Sequence, residues 1–222
     1  MNVTEQNSYE IKANKSSGLS AGWLALIICV AVVLVDQISK FWIKTHFYMG
    51  EDYEITFWFH IKFIENNGMA FGLELWNKLA LTIGRIVAVV LFVWFIIKVK
   101  DMKNLRTGFI VAIALITAGA AGNIFDCVFY GQIFNNPMPP ETAVLFPPDG
   151  GYAGWFEGKV VDMLYFPFFD FFWPEWVPGI GGTYYEFFAY IFNIADSSIC
   201  IGVFLLILFY SKDAATAFKS LK

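Results

Sequence analysis

Residues 108–130 read GFIVAIALITAGAAGNIFDCVFY, and this run carries no charged side chain before Asp126. A helix of about 20 apolar residues is long enough to cross a hydrocarbon core about 30 Å thick. Asn123 and Asp126 stand near the end of the run, where an ionisable side chain costs several kcal/mol unless it is paired or hydrated. The stretch therefore predicts a membrane span with a functional polar end.

The composition of the whole chain supports a membrane protein. Its 222 residues are 58% hydrophobic and 15% charged, whereas soluble domains are roughly 45–50% apolar and about 25% charged. A net charge of -4 provides no basic field for a nucleic-acid partner. The three Cys and two His show no metal-ligand spacing and no disulfide framework, so we expect neither a metal nor another cofactor.

Four apolar runs predict an all-α polytopic membrane protein, with one membrane domain over residues 1–222. The predicted spans are 20–43, 78–98, 108–130 and 187–210. Lys and Arg concentrate before the first span, between the second and third, and after the fourth. The positive-inside rule therefore places both termini in the cytoplasm. The connections 44–77 and 131–186, which are richer in acidic residues, then face outward.

The first run allows a second interpretation, a cleavable signal peptide, because basic residues precede its apolar stretch. The run continues through Phe41 and Trp42, which favours a retained span.

The outer connections differ from one another in pattern. Residues 53–63 alternate apolar and polar side chains with a period of two, which predicts a β hairpin lying on the membrane surface. Asn135–Gly151 is rich in Pro, Asn and Gly, and is expected to be an irregular loop. Residues 152–190 hold 16 aromatics in 39 positions. This segment is either an aromatic belt at the headgroup interface or a wall that contacts substrate.

Ionisable side chains within the spans are candidates for functional residues. Asp36 and Lys40 stand at i and i+4 on one helix face, where they can pair. In one interpretation the pair only closes the outer end of the first span. In the other, Lys40 also contacts a polar lipid or substrate group. Arg85 is interpreted as structural, reaching toward a carboxylate or the interface.

Two segments, Asn123–Asp126 and Asn193–Asp196, repeat an Asn three positions before an Asp. On a helix the two side chains project to the same side, so the amide can orient a nearby carboxylate. Asp162 follows a short β-branched run that can fold back on the outer helix ends. Carboxylates that converge at a partly dry surface share a proton. That is the arrangement with which aspartic peptidases activate water.

In these residues the chain resembles the bacterial lipoprotein signal peptidases (signal peptidase II), in a form with enlarged outer loops. Five blocks occur in the family's order: Asp36-Gln37-Ile38-Ser39-Lys40, Asn66-Asn67-Gly68-Met69-Ala70-Phe71, Gly119-Ala120-Ala121-Gly122-Asn123-Ile124-Phe125-Asp126, Val160-Val161-Asp162 and Phe192-Asn193-Ile194-Ala195-Asp196.

The resemblance implies an intramembrane aspartic endopeptidase that cuts prolipoproteins on the N-terminal side of their diacylglyceryl-modified Cys. It implies that Asp162 and Asp196 form the catalytic dyad and that Asn193 orients it. Supporting roles in shaping the site and holding the substrate go to the matching polar residues Asp36, Lys40, Asn66, Asn123 and Asp126. Residues 53–63 become the family's small extracytoplasmic β-cradle.

The resemblance also implies the setting and the partners of the enzyme. The enzyme is expected in the bacterial inner membrane, with its active site at the outer face. Its expected partners are prolipoprotein substrates and membrane lipids, and it is expected to act as a monomer.

The chain departs from the family pattern in places. Cys127 follows Asp126 where the family has Arg, and Arg85 is a candidate substitute. Met163 stands where Phe is usual, and the connections around 132–158 and 164–191 are long.

Two rival functions use the same residues. In a proton-coupled transporter component the intramembrane Asp residues would relay protons. The polar residues, however, gather at the outer span ends, whereas a conducting path needs them through the whole membrane. An inactive scaffold would have lost Asp162 or Asp196, and both are present.

Overall fold

The structure, a computed structural model, describes residues 19–67 and 78–221. Its helices are α1 Ala21–His46, α2 Lys78–Val99, α3 Thr107–Phe125, α4 Ile194–Phe209 and α5 Ser211–Ser220. A π-helical turn, Asp126–Tyr130, and a last α-turn, Gly131–Ile133, continue α3. Within the described ranges, three helices are long and apolar enough to cross a membrane, and α4 taken with α5 gives up to four.

The helix bounds agree with the first three predicted spans to within about three residues. The fourth span begins at Ile194 rather than at 187. Residues 187–192 finish one strand and form another, and the Asn193 side chain caps the helix that follows. The apolar composition of this stretch led the prediction to extend the span into the sheet.

Helix α3 is the central helix, and it packs against α1, α2 and α4. Small residues allow this close packing, as is usual between membrane helices. A Cβ atom on Gly119 would lie 2.2 Å from the Ala195 carbonyl oxygen of α4. A Cβ on Gly122 would lie 2.7 Å from Asp36 Oδ2 of α1. The backbone of α3 therefore lies directly against the polar residues of its neighbours.

The connections after α1 and after α3 contribute six strands: β1 Asp52–Thr56, β2 Phe59–Asn66, β3 Val160–Tyr165, β4 Phe169–Phe172, β5 Tyr184–Phe187 and β6 Ile191–Phe192. An antiparallel sheet has the order β1-β2-β3-β6, and β4 and β5 form a separate two-stranded sheet. We call the end of the helix bundle that carries the sheet the sheet end, and the other the α5 end.

The period-two prediction for residues 53–63 is confirmed as a hairpin, β1–β2. Its apolar face is not uniform, because Phe63 is buried while Tyr53, Ile55 and Phe57 are exposed. Residues 134–159 hold no helix or strand beyond isolated bridges, in agreement with the irregular loop predicted for Asn135–Gly151.

At the α5 end the chain bends by 86° between α4 and α5. The Arg106 guanidinium, next to the start of α3, donates from Nε to Asp213 Oδ2 at 2.9 Å. Asp213 lies in the first turn of α5. This ion pair ties α5 to the end of α3.

Candidate active site

Asp162 and Asp196 come from different elements at the sheet end of the bundle. Asp162 lies in β3 and is 2% exposed, while Asp196 lies in the first turn of α4 and is half-buried. Strand β3 pairs with β6 through Leu164↔Phe192 and Tyr165↔Ile191. Since β6 is followed directly by α4, this pairing brings β3 against the first turn of α4.

Asn193 connects the two carboxylates. Its Nδ2 donates to Asp162 Oδ1 at 2.7 Å, and its Oδ1 accepts from the Asp196 backbone N–H at 2.9 Å. The Asn193 N–H donates in return to Asp196 Oδ2 at 3.4 Å, which completes a capping box. Asn193 is fully buried, so one rigid side chain fixes the positions of both Asp residues.

The environment of Asp162 favours its protonated form. Burial is the main cause that raises the pKa of this carboxyl to about 7, and the nearby Asp196 charge adds to the effect. Hydrogen bonds from the Asn193 and Asn66 side chains oppose the rise. Asp162 is therefore mostly protonated below about pH 7. The rest of the Asn66 motif, residues 68–71, lies outside the described residues.

Asn123 holds Asp196 from the side of α3. Its Nδ2 donates to Asp196 Oδ1 at 2.8 Å. Its Oδ1 accepts from Lys40 Nζ at 2.9 Å and from Asn193 Nδ2 at 3.3 Å. The Asn–Asp repeat predicted an amide beside a carboxylate, but the partner of Asn123 is the Asp of the other repeat.

Lys40 lies in a buried ion cluster with Asp36 and Asp126. Its Nζ lies 2.8 Å from Asp36 Oδ2 and 2.7 Å from Asp126 Oδ2, and all three side chains are fully buried. The predicted pairing of Asp36 with Lys40 is confirmed. An ammonium has three N–H donors, and the two carboxylates and Asn123 take all of them. The alternative in which Lys40 also contacts a polar lipid or substrate group stays a prediction.

The cluster also contacts both chain segments that carry Asp162 and Asp196. Asp36 Oδ1 accepts from the Ala195 N–H at 2.9 Å, one residue before Asp196. Asp126 Oδ2 accepts from the Val161 N–H at 3.4 Å, one residue before Asp162. The cluster therefore sets the backbone on either side of the site.

Sequence reasoning missed Gln37 as a site residue. Gln37 Nε2 donates to Asp126 Oδ1 at 2.8 Å and to the Gly122 carbonyl at 3.1 Å, and Tyr130 donates its hydroxyl to Gln37 Oε1 at 3.0 Å. Its place between Asp36 and Lys40 in the first motif was the signal that could have identified it.

A second ion cluster, also unpredicted, joins the sheet to α1. Glu65 of β2 pairs with Lys44 of α1 and, at 2.9 Å, with Lys159. Burial opposes ionisation of Glu65, yet its two lysine partners lower the pKa of this carboxyl. The Lys44 ammonium lies 5.3 Å from the ring centroids of Phe134 and Tyr152. Lys44 is thus buried, although the sequence assigned it to the outer connection.

Arg85 of α2 reaches the position at which the chain departs from the resembled family. Arg85 Nη1 donates to Cys127 Sγ at 3.4 Å, and Cys127 is buried in the π-helical turn. Over residues 19–67 and 78–221, no group of three or more His, Cys, Asp or Glu side chains could hold a metal ion.

Comparison with known proteins extends over most of the chain. The family model described as Signal peptidase (SPase) II matches residues 28–212. A lipoprotein signal peptidase of Porphyromonas gingivalis is 42% identical over 199 residues, which cover 90% of this chain and 88% of that protein. One of Amoebophilus asiaticus is 34% identical, with 84% and 77% covered.

Two solved structures also resemble the chain, each described as a bacterial membrane enzyme determined by the in meso method. The structure at 2.3 Å resolution is 28% identical with a TM-score of 0.57, and covers 87% of this chain and 90% of its own. The structure at 1.9 Å is 30% identical with a TM-score of 0.54, with 83% and 90% covered.

Proposed function

The chain belongs to the signal peptidase II family of bacterial membrane proteins, and on that premise we propose that Asp162 and Asp196 are its catalytic dyad. As a member of this family, it is an aspartic endopeptidase that removes signal peptides from prolipoproteins. The observation that carries the assignment of the dyad is the double contact of Asn193, which donates to Asp162 and caps the helix turn of Asp196.

The environments of the two carboxyl groups suggest different tasks. The pKa of Asp162, raised to about 7 chiefly by burial, makes this residue the proton donor. Asp196 is more exposed and accepts from the Asn123 amide and the Asn193 N–H. Because Asp196 is the more exposed of the two and lies where water can reach it, it acts as the base.

The proposed reaction follows from these two roles. Asp196 takes a proton from a water molecule as the water oxygen attacks the scissile carbonyl carbon, and Asp162 donates its proton to the carbonyl oxygen. When the C–N bond breaks, the amine nitrogen takes the proton that Asp196 holds, and the collapsing hydroxyl returns one to Asp162. Both carboxyl groups regain their starting states, and the reaction needs no cofactor.

Asp36, Lys40, Asp126 and Asn123 are positioning residues in this proposal. The ion cluster is fully buried and contacts the backbone one residue before each dyad residue. Asn66 remains beside Asp162, on the strand β2 that borders β3, where it can also contact the substrate.

The membrane arrangement we propose is that of one domain with four spans, α1, α2, α3 with its continuation, and α4. Basic residues lie at both termini and between α2 and α3, which supports cytoplasmic termini and a dyad at the outer face. The substrate's lipid-modified Cys, held by its acyl chains in the membrane, would then place the peptide bond on its N-terminal side at the dyad. A single chain supplies the whole site, so the enzyme acts as a monomer among membrane lipids.

The decisive experiment is cleavage of a diacylglyceryl-modified prolipoprotein and of its unmodified form by purified protein in liposomes. Wild type should cut only the modified form, and the variants Asp162→Asn and Asp196→Asn should lose activity by at least about 10³-fold, the range seen when catalytic residues are removed. Asp149→Asn, which removes an exposed carboxylate in the irregular loop, is the matched control and should stay active. Activity in a folded Asp162 or Asp196 variant would refute the dyad.

A further inference from the structure

Residues 166–190 form an excursion between the two chain segments that carry the dyad. Strand β3 ends at Tyr165 and β6 begins at Ile191, and these two residues pair with each other. Between them β4 and β5 form their own hairpin, in register from Phe169↔Phe187 to Phe172↔Tyr184. The proposed reaction uses none of these residues.

Alternate cross-strand pairs of the hairpin point to opposite sides of its sheet. One side carries the pair Asp170 and Glu186 together with the exposed aromatic pair Phe172 and Tyr184, and the other side is aromatic along its whole length. On that aromatic side, Phe169 stacks on Phe187 at 4.8 Å between ring centroids with an interplanar angle of 2°. Phe171 contacts Tyr185 on the same side at 5.3 Å. Trp173 extends this row, with its ring 5.0 Å from Phe171. We call these five side chains the aromatic face.

On the opposite side, next to the base of the hairpin, Asp170 pairs across the strands with Glu186. Like charges directly opposite one another are unfavourable, and they require donors and water nearby. Hydroxyl groups of Tyr184 and Tyr165 hydrogen-bond Asp170 and Glu186 respectively, and Asp170 is exposed. This side of the hairpin base therefore faces water.

The aromatic face is partly exposed, with Phe171 and Trp173 half-buried. Phe169 is 53% exposed, and Tyr185 and Phe187 are each 41% exposed. The hairpin base lies next to the membrane region, because Ile191 and Phe192 lead through Asn193 into span α4. A row of Phe, Trp and Tyr with water on its opposite side matches the headgroup level of a bilayer, where amphipathic aromatic rings concentrate.

We propose that the aromatic face docks into the headgroup region of the outer leaflet, with the phospholipid interface as its partner. The hairpin is continuous with β3 and β6, so docking holds that strand pair at a set height above the membrane. Docking thereby also fixes the height of the Asp162 backbone and of the α4 cap at Asn193 relative to the membrane. This effect on catalysis rests on the proposed dyad, while the docking itself does not.

Fluorescence quenching measures the docking directly. The full-length protein is reconstituted in vesicles of phosphatidylethanolamine and phosphatidylglycerol, with and without phospholipid brominated near the top of its acyl chains. Trp176, at the hairpin tip, is 81% exposed. The fluorescence of Trp176 is obtained by subtracting the emission of Trp176→Phe from that of wild type. We expect brominated lipid to quench this fluorescence and aqueous iodide to leave it nearly unchanged. Iodide quenching without lipid quenching would overturn the proposal.

Paired variants test the link to catalysis. Phe169→Ser with Phe187→Ser should lose the lipid quenching of Trp176 and lower cleavage in vesicles several-fold. Glu175→Gln, an exposed change at the same tip, should leave both unchanged. If Trp176 is shielded only after prolipoprotein is added, the hairpin binds substrate instead and the proposal is wrong. An active Asp162→Asn variant would refute the dyad. The quenching result does not depend on the dyad and would test the docking separately.

Discussion

At the scale of single residues, Asn193 combines two tasks. Its Oδ1 caps α4 by accepting from the Asp196 N–H, and its Nδ2 donates to Asp162 Oδ1. The Asn–Asp spacing predicted a local orienting role for the amide. The bond to Asp162, which lies 31 positions away in the chain, required the pairing of β3 with β6.

Substitutions at Asn193 separate the two tasks. Asn193→Ala should lower the free energy of unfolding by about 2 kcal/mol, because it removes a cap and leaves a buried carboxyl without its donor. It should also abolish most cleavage. Ser is as good a helix cap as Asn but has no amide to reach Asp162. Asn193→Ser should therefore recover much of the stability and little of the activity, as measured by thermal unfolding and kcat/KM. Equal recovery of both would contradict the orienting role.

The raised pKa of Asp162, about 7, predicts a pH dependence of activity. Above pH 7 the dyad loses the proton that Asp162 donates, so kcat/KM should fall as pH rises through that value. Asn66→Ala removes a donor that favours the charged form, so the falling limb should move to higher pH. A pH–rate profile of both proteins on one lipidated substrate checks this, and a flat profile from pH 6 to 9 would refute Asp162 as the proton donor.

The same pKa has a consequence for stability. The folded-state pKa of Asp162 lies above its unfolded value of about 4. Its contribution is therefore fully present below pH 4 and is lost as pH rises through 7. Relative to wild type, Asp162→Asn should gain thermal stability as pH rises from 4 to 7 and keep that gain above pH 7, by roughly 2–4 °C for each 1 kcal/mol. Parallel curves for the two proteins over that range would contradict a buried, protonated Asp162.

At the scale of elements, the end of α3 is shaped to carry polar side chains. Its last turns widen into the π-helical turn Asp126–Tyr130, a feature often found at functional sites. Asp126 contacts Lys40, Gln37 and the Val161 N–H from this turn. Apolar composition predicted the helix and its approximate end, whereas the π-helical turn and its contacts with α1 and β3 were not predicted.

Two glycines test the close packing of α3. Gly119→Ala would place a Cβ 2.2 Å from the Ala195 carbonyl oxygen, which forces α4 and the adjacent Asp196 to move. We expect a loss of about 1–3 kcal/mol of stability, as for other overpacked cores, and a marked fall in activity. Gly84→Ala on α2 has no atom within 4 Å of its new Cβ. It should be neutral or slightly stabilising. Equal effects in thermal unfolding and cleavage assays would contradict this account of the packing.

At the scale of the whole molecule, the proposed orientation can be tested by cysteine labelling. One label site is made by Asp149→Cys in the irregular loop after α3, and the other by Lys103→Cys between α2 and α3. Both positions are exposed. A membrane-impermeant maleimide should label position 149 in intact spheroplasts and position 103 only after lysis. Wild type, with its native Cys29, Cys127 and Cys200, is the control for background labelling. The opposite pattern would invert the topology.

The sequence by itself determined the properties that depend on local composition and spacing. These are the apolar spans, the asymmetry of basic residues, the β1–β2 alternation, and the motif blocks that mark the family. The length of an apolar span and the alternation of a strand depend on residues that are close together in the chain, so a local sequence pattern is enough to predict them. For the same reason the pairing of Asp36 with Lys40, one helical turn apart, was predictable.

Only the tertiary structure decided which distant residues contact each other. Several contacts join distant parts of the chain. They are the pairing of β3 with β6, the three acceptors around Lys40, the Lys44–Glu65–Lys159 cluster and the contact of Arg85 with Cys127. Burial of a charge is tolerated only where partners from other elements surround it. No local pattern specifies those partners, so packing alone decides which polar residues face the site and which support it.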